Sequence, residues 1–138
     1  VAASDIAVSA ADATYAFTEV RLGLTPAAIS LSVLPRMTDR SAALTFLTGE
    51  VFDGRAAAEM GLVTRAVPEP ELTSEVDEIC GALAKGNPQG LRETKALLGR
   101  PLVDRIDAQG GDLAELSARL FGSEEAKNAM LAFLSRKK

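Results

Sequence analysis

Glu19 is the residue of this chain best placed to move a proton. It is an acid flanked by Phe17 and Val20, with Leu22 and Leu24 close by in sequence. An acid set among apolar groups is suited to giving and taking protons in a reaction. Other starting points for chemistry are few. The chain has no His and one Cys, Cys80, so the commonest general base, an internal disulfide and a thiolate metal cluster are all absent. No metal site is expected, and Cys80 reads as a small core residue on a helix. Glu19 also has a plainer use open to it: an ion pair with Arg21 or Arg36, or a helix cap.

The elements around Glu19 must therefore be read. Residues 19–25 lack a clean period and are punctuated by Gly23, which indicates an ordered loop. Thr25 and Pro26 suit a helix start, with the helix running to about Leu34 and ending before Pro35. Upstream, residues 1–4 read as the last turn of a helix, residues 6–9 as a short buried strand and residues 10–14 as a loop with Asp12 in its turn. Downstream, Thr38 or Asp39 caps a helix over 41–47 that Gly49 closes. Asp53 caps an Ala-rich helix through Met60, and residues 62–67 read as a second strand. Leu72, Val76, Ile79 and Leu83 then recur on one face of a helix over 71–85. A helix over 88–98 is separated by Gly99, Arg100 and Pro101 from another marked by Leu113, Leu116 and Leu120. Ser123 caps the last helix, with Glu124 and Glu125 in its first turn where the helix dipole favours acids. Met37, Met60 and Met130 read as core gap-fillers, and Lys95 as a snorkelling lysine. The expectation is about two short strands among six or seven helices, too few strands for a sheet of their own.

Length and composition bound the possibilities. At 138 residues the chain suits one domain with a modest core. Its 47% hydrophobic content with only 4% aromatic is Ala- and Leu-rich, the composition of packed helices. The net charge of -4 argues against nucleic acid as a partner. No apolar run of about 18 residues exists, so no membrane partner is expected and a cytoplasmic location is.

Several ordered segments together resemble the enoyl-CoA hydratase/isomerase (crotonase) superfamily. Tyr15, Ala16, Phe17, Thr18, Glu19, Leu22, Gly23, Leu24 and Pro26 stand in that family's register of aromatic, acid, apolar turn and proline. LTGEVFDGRAAAEMGLVTRAVP (47–68), GNPQGLRETKALL (86–98) and FGSEEAKNAMLAFLSRK (121–137) follow in the family's order. The resemblance implies an α/β crotonase-like fold, of which this chain is the mostly helical C-terminal half. It divides the chain into 1–70, the end of the core with the active-site loop, and 71–138, a helical trimerisation region.

By the same resemblance Glu19 is the second of two catalytic glutamates that add water to a 2-enoyl-CoA thioester, giving a 3-hydroxyacyl-CoA. Backbone N–H groups stabilise the thioester enolate. Phe17, Leu22, Pro26, Ala27 and Ile29 belong with substrate binding, the Ala27 backbone helping to hold the water or line the acyl pocket. Phe133 and Arg136 would reach the CoA adenine and its 3′-phosphate. The stretch Ala27-Ala28-Ile29-Ser30-Leu31 departs from the family's Gly-rich version and implies a differently lined pocket. No cofactor beyond the CoA of the substrate is implied, and a homo-oligomer, trimer or hexamer, is. The chain opens mid-pattern at Val1, so the first glutamate and the oxyanion glycine are expected before it. An isomerase of the same superfamily, or a non-catalytic segment that only oligomerises or binds acyl-CoA, are the other readings.

Overall fold

The computed structural model describes residues 1–135. Four three-residue strands pair in twos among these residues. β1 (Val8–Ala10) runs parallel to β4 (Arg65–Val67), with Ser9 opposite Ala66; β2 (Thr14–Ala16) runs antiparallel to β3 (Val51–Asp53), with Tyr15 opposite Phe52. β2 and β3 were not legible in the sequence, because three residues show no period of two. What makes them is a cross-strand pair: the rings of Tyr15 and Phe52 stack at 5.7 Å. The Tyr15 hydroxyl also hydrogen-bonds Ser9 Oγ at 2.8 Å, which links the two strand pairs. Both expected strands are shorter than the sequence implied. Ile6 lies outside β1 and is exposed. The N–H groups of Leu62 and Val63 turn back to the Ala57 carbonyl, so β4 starts only at Arg65. Residues 1–4 form a single turn rather than the end of a helix, closed by the Ser4 N–H on the Val1 carbonyl at 3.0 Å.

Helix α3 (Gly54–Glu59) packs on β2, β3 and β4, and α1 (Ala27–Val33) and α2 (Asp39–Thr48) join it in one buried cluster. Ala2, Phe17, Val33, Met37, Ala42, Phe52, Ala57, Leu62 and Val63 form the buried cluster. Two expected caps are in place. Thr38 accepts from the Ser41 N–H at 3.3 Å and Asp53 from the Ala56 N–H at 2.8 Å. Thr25 does not cap α1: Pro26 is the cap residue, and the Ala27 N–H goes to the Thr25 backbone carbonyl at 2.7 Å. At the start of α3 a Cβ on Gly54 would run into the Ala10 carbonyl oxygen at the end of β1. Gly54→Ala is therefore expected to destabilise by about 3 kcal/mol through overpacking against backbone. A drop in the urea midpoint at unchanged slope would show it; an unmoved midpoint would contradict it.

The C-terminal half is helical: α4 (Leu72–Leu83), α5 (Pro88–Phe121) and α6 (Glu124–Ser135). α4 lies against β1, and the Arg65–Glu75 ion pair joins it to β4. Hydrogen bonding and charge from Glu75 hold the Arg65 guanidinium above its usual range. Cys80 is exposed, not a core residue. It stands four residues after Val76 and three before Leu83, both themselves 44% exposed, so it lies on a flank of α4 that nothing covers among the described residues. The two expected helices around Gly99-Arg100-Pro101 are one helix of 34 residues. Pro101 removes one N–H but its fixed φ fits a helix. The half-buried stripe Gly99, Leu102, Arg105, Leu113, Leu116 and Leu120 continues across it, and α1 packs on α5. Lys95 does not snorkel over apolar surface; it is exposed and pairs with Asp5 ahead of β1. Ser123 caps α6 as expected, accepting from the Ala126 N–H at 3.2 Å. Among the described residues no helix is long and apolar enough to cross a membrane.

Candidate active site

Glu19 sits at the head of a short turn whose two ends are anchored. The chain leaves β2 at Ala16 and sends Phe17 into the core, its ring 4.6 Å from that of Phe46 and 5.8 Å from that of Phe52. Residues Glu19–Leu22 then make one turn of 3-10 helix. Gly23 ends it at φ 69°, a left-handed conformation that glycine adopts without strain, and the Leu24 N–H closes back on the Glu19 carbonyl at 3.0 Å. Leu24, Pro26 and Ala27 are buried after it. The region expected to be an irregular ordered loop thus contains a defined turn.

Within that frame the Glu19 side chain is half-buried. Among the described residues its carboxylate makes no hydrogen bond or ion pair. The two arginines that offered a plainer use are engaged elsewhere. Arg21 Nε donates to the Thr48 carbonyl at 3.4 Å, while Arg36 donates to the Ala2 and Ser4 carbonyls at 3.1 and 3.0 Å. A carboxylate placed by its backbone, with its lone pairs uncommitted, can accept a proton from a bound molecule or return one.

The other expected site residues are brought together only in part. Phe17 and Leu22 flank Glu19 on the turn, Leu22 half-buried, and Pro26 and Ala27 follow directly. The Ala27 N–H is taken by the Thr25 carbonyl at 2.7 Å, and Ala27 itself is buried. Ile29 is 38% exposed on α1. Phe133 is 50% exposed on α6. That helix meets the turn at Ala126, whose backbone nitrogen lies 3.4 Å from where a Cβ on Gly23 would be. Phe133 is seven residues further on, about 10 Å along the axis. Arg136 lies outside the described residues. Phe46, Thr48 and Gly49, which hold the turn from the α2 side, carried no sequence signal beyond their roles in a helix and its cap.

This arrangement of strands, acid-bearing turn and wrapping helices matches a crystal structure of an enoyl-CoA hydratase from Mycobacterium avium. The TM-score is 0.93 at 45% identity, over 98% of this chain and 53% of that one. The protein is thus an α/β chain of the crotonase fold, mostly helical over this span. The family profile described as enoyl-CoA hydratase/isomerase matches residues 1–138. The chain belongs to the enoyl-CoA hydratase/isomerase family. It is 30% identical over 135 residues to a crotonyl-CoA hydratase of Syntrophomonas wolfei, covering 97% of this chain and 52% of that protein. It is 32% identical over 133 residues to enoyl-CoA delta isomerase 2 of Rattus norvegicus, covering 95% of this chain and 34% of that protein. The chain spans about half the length of the first curated relative, and 38% and 34% of the next two.

Proposed function

We propose that the protein is an enoyl-CoA hydratase that adds water across the double bond of a 2-enoyl-CoA to give a 3-hydroxyacyl-CoA. Glu19 is one of the two carboxylates of the site. Water oxygen bonds to the β-carbon, a proton reaches the α-carbon, and backbone N–H groups supplied from outside this span stabilise the enolate. The observation that carries the reading is the half-buried Glu19 carboxylate, uncommitted among the described residues and held between buried Phe17 and Leu24. The name of the Syntrophomonas relative supports the same chemistry. Leu22, Pro26, Ala27 and Ile29 shape the acyl side, with Phe17 supporting them from the core, and Phe133 with Arg136 serves the CoA end. CoA enters as part of the substrate, and no further cofactor belongs to this reading.

The isomerase relative supports a second reading, in which Glu19 carries a proton between two carbons of an enoyl chain and no water is added. The two separate on substrate. A hydratase removes the conjugated enoyl absorbance of crotonyl-CoA, whereas an isomerase creates that absorbance from a 3-enoyl-CoA. Turnover of the second alone would replace the hydratase reading; turnover of neither by the full-length protein would leave a protein that binds acyl-CoA or assembles without catalysis.

Residues 1–70 are the part that carries the acid, and residues 71–138 serve assembly. Leu97 and Leu98 on α5 are 72% and 66% exposed, and Leu131 and Leu134 on α6 are 58% and 62% exposed, an apolar surface that suits a neighbouring subunit. Sedimentation velocity is expected to give a trimer or a multiple of it; a monomer at micromolar concentration would refute this assignment.

A further inference from the structure

We propose that Arg21 is a positioning residue for Glu19, fixing the acid-bearing turn to the C-terminus of α2; this rests on the catalytic reading of Glu19. The residues on either side of the acid lean on the same last turn of α2. Two positions before it, the Phe17 ring packs on Phe46. Two positions after it, Arg21 Nε donates to the Thr48 carbonyl at 3.4 Å. That carbonyl belongs to the last turn of a helix, where carbonyls lack intrahelical partners and the dipole favours a cation.

Gly49 makes the approach possible. It closes α2 at φ 62°, and a Cβ there would lie 3.0 Å from Arg21 Nε and 3.2 Å from the Phe17 carbonyl oxygen. Glu19 is bracketed by these contacts while its own carboxylate touches none of them. Loosening the downstream contact lets the turn shift about its Phe17 anchor without unfolding the core. A small misplacement of a reacting group lowers the chemical step more than it lowers binding.

The test is crotonyl-CoA hydration by the full-length protein, wild type beside Arg21→Ala, Arg21→Lys and Glu19→Gln, with thermal melting as a check on folding. Arg21→Ala is expected to lower kcat about tenfold with KM held within about twofold. Arg21→Lys is expected to recover to within about threefold of wild type, because an ammonium still donates to the Thr48 carbonyl. Gly49→Ala is expected to lower kcat at least as far as Arg21→Ala, because its Cβ would press on the Phe17 carbonyl as well as on Arg21 Nε. A kcat within about twofold of wild type in Arg21→Ala, or a lysine variant no better than alanine, overturns the positioning role while Glu19→Gln still abolishes turnover. If Glu19→Gln is itself fully active, the catalytic reading falls and this proposal with it. Should the alanine variant fail to fold, Arg21→Gln is measured in its place against the same thresholds.

Discussion

Glu19→Gln is expected to lower kcat/KM for crotonyl-CoA hydration by about a thousandfold while leaving the fold intact. Glutamine keeps the length and planarity of the side chain and loses only its ability to carry a proton. A positioned acid or base contributes roughly two to four orders of magnitude to such a step, so the loss of one of two carboxylates falls in that range. The stability side of the prediction is equally specific. Among the described residues the Glu19 carboxylate makes no hydrogen bond or ion pair, so its removal should change unfolding free energy by no more than about 0.5 kcal/mol. Initial rates from the fall in enoyl thioester absorbance, paired with a urea titration, decide both halves. Hydration within about tenfold of wild type would remove Glu19 from the chemistry. A large stability loss would make it a structural residue instead.

Phe17→Ala is expected to have the largest effect on stability, about 4 kcal/mol. The side chain is 8% exposed and its ring meets those of Phe46 and Phe52, so truncation leaves a void between α2 and β3 that the surrounding elements cannot close. Much of the typical margin of 5–15 kcal/mol for a domain would go with it. Because Phe17 also anchors the upstream end of the Glu19 turn, hydration should fall even where the variant remains folded. Chemical denaturation reads the first effect, and a loss below about 1.5 kcal/mol would show that Phe17 is not a core anchor.

These two residues also mark where the sequence stops being sufficient. What it determined by itself is local. Thr38 and Asp53 reach N–H groups three residues on, and Gly49 ends α2 in a left-handed conformation; caps are written within a few residues and need no distant partner. Gly23 and Pro26 likewise marked an ordered loop after Glu19, though not the turn of 3-10 helix within it. The tertiary structure decided what depends on residues far apart. β2 and β3 are strands because Tyr15 meets Phe52, not because three residues carry a period. α5 runs through Pro101 because its half-buried stripe is continuous and α1 packs on it, which outweighs the one missing N–H. Cys80 is exposed because the flank of α4 that it shares with Val76 and Leu83 is left uncovered among the described residues. Arg21 and Arg36 were both open to Glu19 as partners in the sequence, yet backbone carbonyls of other segments take both guanidinium groups. Whether an acid is left uncommitted depends on every competing donor in the fold, and that competition is settled only once the chain has packed.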